Sequence, residues 1–379
     1  MHFETDTLII GGGLAGLTAA LHLEKAGLNV ILIEKNEYPH HKVCGEYISN
    51  EVIPYLNWLG VNVEELRPAK IQNLTLTTRS GKTITGKLPL GGFGISRYTL
   101  DHFLYRLLLE KKIAVIQDNV TEVGFTNDFF SVRTTQGDIY KAKHVLGAHG
   151  KRSTLDQKLN RKFMSQKSPF LAVKAHYLGH FPNDLVALYN FKGGYCGVSK
   201  VEDGKINICY LADYETFKKH KNIEDYQKAV LYENKDLSGI FEQSKIIFDQ
   251  PISISQLYFG TKTAVHQHIL MIGDTAGLIH PLCGNGMAMA IHSAKKASEL
   301  LIDFSQGKIN SRAKLEAKYT SVWNAEFNSR LKMGSLLSFV LQKEKLTAIL
   351  MKALTFMPFL LNKIITKTHG KPISIPSLK

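Results

Sequence analysis

Cysteine is scarce in this chain: four residues in 379, at positions 44, 196, 209 and 283, with no C-x-x-C pair among them. That excludes a disulfide scaffold and makes free thiols in a reducing, cytoplasmic setting the expectation. Long apolar runs are lacking as well. No window reaches about 18 uncharged apolar residues, so no transmembrane helix is expected. Asp6 and the glycines from position 11 interrupt the first apolar stretch, so no secretory leader is expected either. There are no internal repeats and no low-complexity tracts. Histidines at 40, 41, 266, 268, 280 and 369 show no metal-ligand spacing backed by cysteine or carboxylate, and no metal site is expected. Acidic residues are in deficit, with 33 Asp and Glu against 47 Lys and Arg, for a net charge of +14. Such a charge attracts anions, yet no nucleic-acid module with interleaved aromatics is present, so nucleic acid is not an expected partner. The excess is uneven: from Phe327 onward Glu344 stands alone against nine basic residues.

What is present is globular composition, 44% hydrophobic and 21% charged. At roughly 150 residues per domain the length suits about two to three domains. The strongest pattern comes first. Thr7-Leu8-Ile9-Ile10 reads as a buried strand, Gly11-Gly12-Gly13-Leu14-Ala15-Gly16 as a glycine turn opening a helix, and Val30-Ile31-Leu32-Ile33 as a second buried strand ending at Glu34. In this βαβ unit Gly11 permits the tight turn, Gly13 lets a pyrophosphate approach the backbone, and Gly16 lets helix and strand pack closely. The helix start, with Leu14 and Ala15, offers free N–H groups and a positive dipole end to phosphate. Glu34, followed by Lys35, is placed to accept both hydroxyls of an adenosine ribose and disfavours a 2′-phosphate, so FAD or NAD fits.

A second stretch decides between them. Ile269 to Ile272 reads as a buried strand running into Gly273-Asp274; the loop Thr275 to Asn285 follows, and a helix opens near Gly286 and Met287. Asp274 suits a ribityl hydroxyl, and the Gly284–Gly286 amides with the helix dipole suit the electron-rich edge of a flavin ring. An NAD enzyme has no need of this second carboxylate, so the cofactor expected is FAD.

GGGLAG with Glu34, and GDTAGLIHPLCGNGM near residue 280, resemble the FAD-dependent para-hydroxybenzoate hydroxylase superfamily of flavoprotein monooxygenases. Lys42-Val43-Cys44-Gly45-Glu46 is similar to a segment of its geranylgeranyl reductase branch, and Gly94-Ile95-Ser96-Arg97 resembles its arginine-bearing helix start. The resemblance implies that Gly11, Gly13, Gly16 and Glu34 hold the ADP half of FAD, with Arg97 near the pyrophosphate or ribityl chain. It implies Asp274 on the ribityl, Pro281, Gly284, Asn285 and Gly286 along the ring, and Lys42, Cys44 and Gly45 approaching from the other side. Val120, Gly150, Gly273 and Met287 complete the expected cofactor shell. No catalytic side chain is assigned, since the flavin itself is the reactive group; Cys44, Pro281 and Cys283 are the candidates beside it, the two cysteines as shielded thiols rather than a redox pair.

Two departures stand out. His149, within Gly147-Ala148-His149-Gly150, occupies a position where the superfamily carries aspartate. A histidine, with Lys151 and Arg152, can still donate to phosphate, but the aspartate that in related hydroxylases helps organise the approach of NAD(P)H is missing. The aromatic YxWxFP segment of the lipid reductases is reduced to Gly194-Tyr195-Cys196. No second GxGxxG is visible, so NAD(P)H, as electron donor, would bind transiently.

The expected architecture is α/β, an α+β composite. A discontinuous Rossmann-like FAD-binding domain (1–72, 95–165, 262–305) with a mixed or parallel sheet is joined by a β-sheet substrate domain over the flavin (73–94, 166–261), which includes a polar helix near 222–234. A helical region (306–379) follows, in which Lys352 and Pro358 interrupt the apolar run. That region reads either as helices packed on the parent domain or as a peripheral contact with the cytoplasmic face of a membrane. The expected activity is FAD-dependent oxidoreduction of a hydrophobic small molecule or lipid. It is read as NAD(P)H-driven monooxygenation, with double-bond reduction of a lipid or isoprenoid, or a non-catalytic FAD-fold binding protein, as alternatives. Nothing in the sequence fixes the oligomeric state.

Overall fold

The computed structural model describes residues 2–357 and 359–375, so Pro358 lies outside the described residues. The chain runs β1 (His2–Ile10), α1 (Leu14–Lys25), β2 (Val30–Glu34), β3 (Tyr47–Ser49), α2 (Ile53–Trp58), β4 (Ala69–Thr77), β5 (Thr83–Gly94), α3 (Arg97–Glu110), β6 (Ala114–Gln117), β7 (Val120–Thr126), β8 (Phe129–Thr134), β9 (Ile139–Gly147) and α4 (Thr154–Lys158). It continues through β10 (Phe170–Leu178), β11 (Leu185–Phe191), β12 (Gly194–Lys200), β13 (Ile206–Asp213), α5 (Tyr214–Phe217), α6 (Ile223–Val230), α7 (Lys235–Glu242), β14 (Lys245–Ile246) and β15 (Ile252–Ser255). Last come β16 (Val265–His266), β17 (Ile269–Met271), α8 (Gly286–Ser305), α9 (Arg312–Leu341), α10 (Glu344–Phe356) and α11 (Phe359–Thr368).

The first sheet has the order β16-β17-β9-β1-β2-β6, with the β7–β8 hairpin leading into β9. Its centre is parallel: β1 pairs with β2 and β9, β2 with β6, and β17 with β9. Parallel strands are covered on both faces, which is why Leu8, Ile9, Leu32 and Ile33 form unbroken apolar runs and are all buried. Helix α1 is buried from Leu14 through Leu23, packed between this sheet and its neighbours.

The second sheet has the order β14-β10-β13-β12-β11-β4-β5-β3, and β15 adds to β10. It is antiparallel except for the β4–β11 pair. Strand β10 shows how its two faces divide. Leu171, Val173, Ala175 and Tyr177 pack with Tyr226, Leu231 and Phe241 of the α6–α7 segment. Period-2 alternation then sends Ala172, Lys174 and His176 to the opposite face, toward the first domain.

Two expectations change at this level. Residues 47–49, placed in the first domain, form β3, the edge of the second sheet, paired with Gly92–Gly94; three residues are too few to carry a strand pattern of their own. The polar helix near 222–234 is shorter than expected: α6 ends at Val230, a 3-10 turn covers Leu231–Glu233, and Asn234 then caps a separate helix, α7, by accepting the Leu237 N–H. Among the described residues no single helix is long and apolar enough to cross a membrane.

Candidate active site

A continuous cavity of about 730 Å³ lies where the two sheets and the C-terminal helices meet, with walls drawn from Ile10 to His369. One end is built from backbone. Gly11, Gly13, Leu14 and Ala15 line it. Gly11 has φ +108°, and a Cβ there would sit 2.4 Å from the Ala148 carbonyl oxygen. A Cβ at Gly16 would sit 2.0 Å from the Gly11 carbonyl oxygen, so Gly16 serves the packing of helix on turn and does not itself line the cavity. At Gly13 the nearest atom would be an Arg97 guanidinium nitrogen at 3.5 Å, so the space there is open cavity.

Glu34 and Val120 are buried beside this turn and line the cavity together with exposed Lys35. The Glu34 carboxylate accepts the Gly12 N–H at 2.6 Å, and the Asn36 N–H and side-chain amide at 2.9 Å. A carboxylate has about four acceptor positions, so room for a further donor remains. Arg97 holds Asp101 through two bonds of 2.7 Å, and Lys42 reaches the same carboxylate at 2.8 Å. Burial alone would raise the Asp101 pKa, but the Arg97 and Lys42 charges outweigh it and hold it below the usual range. Two cations around one anion leave a net positive charge beside Gly13.

The late loop closes the same cavity. Gly273, Asp274, Pro281, Cys283, Gly284, Gly286 and Met287 line it, as do Cys44, Gly45 and Gly150. Both Cys44 and Cys283 are free thiols, and burial pushes Cys283 up to about 12. Asn285 departs from expectation: its side-chain amide donates 2.7 Å to the Thr368 carbonyl, so it ties the loop to α11 and does not line the cavity. The reason is local: Gly284 at φ +62° takes the tight turn, and the next side chain is thrown away from the cavity.

Helix capping sets these two loops apart from six other helices, although α2 and α10 also lack a capping side chain. Helices α3, α4, α5, α6, α7 and α9 all have a Ser, Asp or Asn side chain on a first-turn N–H. At α1 and α8, which open on the cavity, no side chain caps the helix and the first turn carries no acid. Free amides and a positive dipole end at both places suit an anionic ligand.

His149 also lines the cavity, but its Nε2 pairs with Asp156 at 3.0 Å. Asp156 in turn accepts from Arg161 and closes a capping box with Ser153 at the start of α4. Burial opposes ionisation of Asp156, yet the His149 bond and the Arg161 charge outweigh it and lower its pKa to about 2. The His149 ring is therefore held by a carboxylate seven positions on, with Nδ1 buried and unpartnered.

Sequence reasoning missed one cluster. Glu46, fully buried, accepts from Lys174 at 2.5 Å, from His176 at 2.6 Å and from the Arg97 N–H at 2.8 Å. It fastens the Lys42–Glu46 loop to β10 on one side and to the start of α3 on the other. Burial works against its charge, but Lys174 and His176 prevail and its pKa lies below normal. The available signal was Lys174 in the otherwise apolar run Phe170–Ala175: a lysine in a buried strand requires a counter-ion.

The far end of the cavity is apolar. Leu74, Leu76 and Leu88 of β4 and β5, Val186 and Leu188 of β11, and Leu350, Leu354, Leu361, Ile364 and Ile365 of α10 and α11 form its wall. His369, just past α11, adds one polar atom: its Nε2 is buried without a partner. Burial lowers its pKa to about 4, so the ring is neutral at pH 7. Among the described residues no three His, Cys, Asp or Glu side chains are grouped to hold a metal ion.

Residues 4–321 match the model of the family described as FAD binding domain. The chain belongs to that family. This FAD-binding-domain protein is 24% identical over 367 residues to conditioned medium factor receptor 1 of Dictyostelium discoideum, covering 89% of this chain and 71% of that one. It is 22% identical over 322 residues to menaquinone reductase of Mycobacterium tuberculosis, covering 79% and 76%. A solved geranylgeranyl bacteriochlorophyll reductase-like protein from Thermoplasma acidophilum superposes with TM-score 0.76 at 18% identity, over 98% of this chain and 94% of that one. The chain is an FAD-dependent oxidoreductase, and the proteins it is similar to include FAD-dependent monooxygenases as well as the geranylgeranyl reductase-like fold. The site fits FAD: two uncapped helix starts, a glycine turn that leaves open space at Gly13, a net cation at Arg97 and Lys42, and acids at Glu34 and Asp274 all border one cavity.

Proposed function

We propose that this FAD-dependent oxidoreductase is an NAD(P)H-driven monooxygenase that hydroxylates an elongated hydrophobic molecule bearing one polar group. The observation that carries the reading is the continuity of the cavity, which passes from a backbone-lined end into a leucine-walled end with a single unpartnered imidazole. The leucine wall takes the apolar body, and its burial supplies roughly 25 cal/mol per Å² of binding. Neutral His369, whose Nδ1–H donates to the Ile365 carbonyl at 3.1 Å, accepts at Nε2 from a hydroxyl on the molecule. The glycine turn, Arg97 and Lys42 hold the pyrophosphate of FAD, Glu34 its adenosine ribose, Asp274 its ribityl chain, and the Pro281–Met287 loop its ring. When bound, FAD supplies two-electron chemistry, drawing the pair from NAD(P)H and spending it, with O2, on substrate. The Glu46 clamp keeps the Lys42–Glu46 loop in place, and the apolar wall keeps bulk water out.

A second reading, saturation of a carbon–carbon double bond, is favoured by Cys44 on the Lys42–Glu46 loop at the cavity wall. That reaction needs a side chain to hand a proton to the second carbon. Cys44, a free thiol lining the cavity, is placed to do so, whereas burial pushes Cys209 and Cys283 up to about 12. Oxygen separates the two readings. The enzyme is reduced anaerobically with NADH or NADPH and offered phenolic lipids and polyenes, before and after oxygen is admitted. Hydroxylated product that appears only after oxygen, one per O2 consumed, is expected. A saturated product formed without oxygen, and abolished by Cys44→Ser, overturns the monooxygenase reading.

A further inference from the structure

The outer surface of the C-terminal helices is unlike the rest of the molecule. Phe356 is 75% exposed, Ile349 65% and Phe359 49%, and Leu336, Phe339 and Met357 are exposed with them. The chain bends by 116° between α10 and α11, which puts Phe356, Met357 and Phe359 together at an apolar corner. Around them Lys343, Lys345, Lys352, Lys363, Lys367 and Lys371 are exposed. Lys343 lies over the Phe339 ring at 4.3 Å and Lys363 over the Phe359 ring at 5.2 Å, so ammonium groups flank the aromatic faces. The inner side of the same two helices is the leucine wall of the cavity.

We propose that the α10–α11 hairpin docks on the surface of an anionic lipid bilayer, with Phe356, Met357 and Phe359 inserted among the acyl chains and the lysines on the headgroups. Three observations select this occupant. The patch is apolar at its corner and cationic around it, the complement of an anionic interface. With 13 and 10 residues, the helices span roughly 20 and 15 Å at 1.5 Å per residue, short of the ~30 Å hydrocarbon core, so the hairpin lies in the interface and does not traverse it. The surface is also continuous, through two helices, with an apolar chamber. A lipid-soluble molecule can thus move from bilayer to chamber past α10 and α11 without crossing water. This last step rests on the hydrophobic-substrate reading above; the docking does not.

The test is flotation of the full-length FAD-loaded protein with vesicles of phosphatidylcholine alone or with phosphatidylglycerol added. Binding is expected to the anionic vesicles and to weaken with salt. The Phe356→Glu/Phe359→Glu pair, whose side chains do not line the cavity, should reduce binding roughly hundred-fold or more, two buried phenyl groups being at stake. Leu178→Glu, at a comparably exposed leucine on β10, should leave binding unchanged. Equal flotation of all three proteins, or none on anionic vesicles, overturns the proposal. So does a concentration-dependent dimer that the phenylalanine pair dissolves while wild type ignores vesicles, since a second copy would then own the surface. Turnover of a short-chain soluble substrate is read in parallel. If it persists while vesicle binding fails, docking is wrong and the proposed function stands; if vesicles bind but no substrate is turned over, the reverse holds.

Discussion

The two ends of the cavity are made of different material. The end proposed above to hold the nucleotide is backbone: Gly11, Gly13, Gly284, Gly286 and two uncapped helix starts, all within short stretches of chain. The apolar end is side chains from β4, β5, β11, α10 and α11, which meet only after the second sheet and the C-terminal helices have assembled. A backbone site is specified by local sequence and tolerates little, whereas a side-chain wall is specified by packing and tolerates change of shape. Between the two domains stands Glu46, a joint that fastens the Lys42–Glu46 loop and the start of α3 to β10 of the second sheet.

Perturbing that joint is expected to have the largest effect. Glu46→Ala leaves Lys174 buried without its counter-charge and should cost about 3–5 kcal/mol of stability in a denaturant titration. Because the Glu46 pKa is lowered in the folded state, its contribution is present above the ordinary carboxylate value and lost as pH falls through the folded value. Acid sensitivity in this range should therefore be blunted in the variant. At the nucleotide end, Gly13→Asp adds a negative side chain where Gly13 meets open cavity. FAD affinity should drop about a hundred-fold or more by fluorescence titration, with the melting transition of the cofactor-free protein little changed. Gly286→Asp should behave alike. Full FAD occupancy in either would erase the distinction between the two ends.

A smaller effect is expected at Asp156. With its pKa near 2 in the fold against about 3.9 unfolded, it contributes about 2 kcal/mol at neutral pH, lost between those two values as pH falls. Asp156→Asn should remove that contribution. His149→Asp should destabilise by setting a carboxylate against Asp156, and combining it with Asp156→Asn should recover part of the loss. The mildest change belongs to the apolar end: Ile364→Ala should raise KM for a hydrophobic substrate about five-fold with FAD binding untouched. A loss of FAD in that variant would show that the two ends are not separable.

The nucleotide end was legible in the sequence for the reason that opens this comparison. The turn after β1, Glu34 at the end of β2, and the Gly273–Met287 loop are each set by a run of adjacent residues, and each borders the cavity. The side-chain relations were not legible. Asn285 sits between two cavity-lining glycines, and only the position of α11, some 80 residues on, shows that it faces away. His149 signalled a departure, but its partner is visible only once α4 folds back on β9. Glu46 and Lys174 lie 128 residues apart, and no periodicity links a loop to a strand. The extent of the apolar chamber depends on how β4 meets β11 in the only parallel pair of the second sheet's described strands.

The stretch beyond α11 has a practical consequence. The Gly370 N–H donates to the Glu51 carboxylate, the Ile373 N–H donates 2.8 Å to the Glu51 carbonyl, and Arg330 pairs with the same side chain at 3.1 Å. Protease trimming or truncation just after His369 would strip Glu51 of two partners at once, although the cut lies more than 300 positions downstream. Anyone shortening this polypeptide for crystallisation, or fusing a reporter to that side, should expect trouble near its beginning.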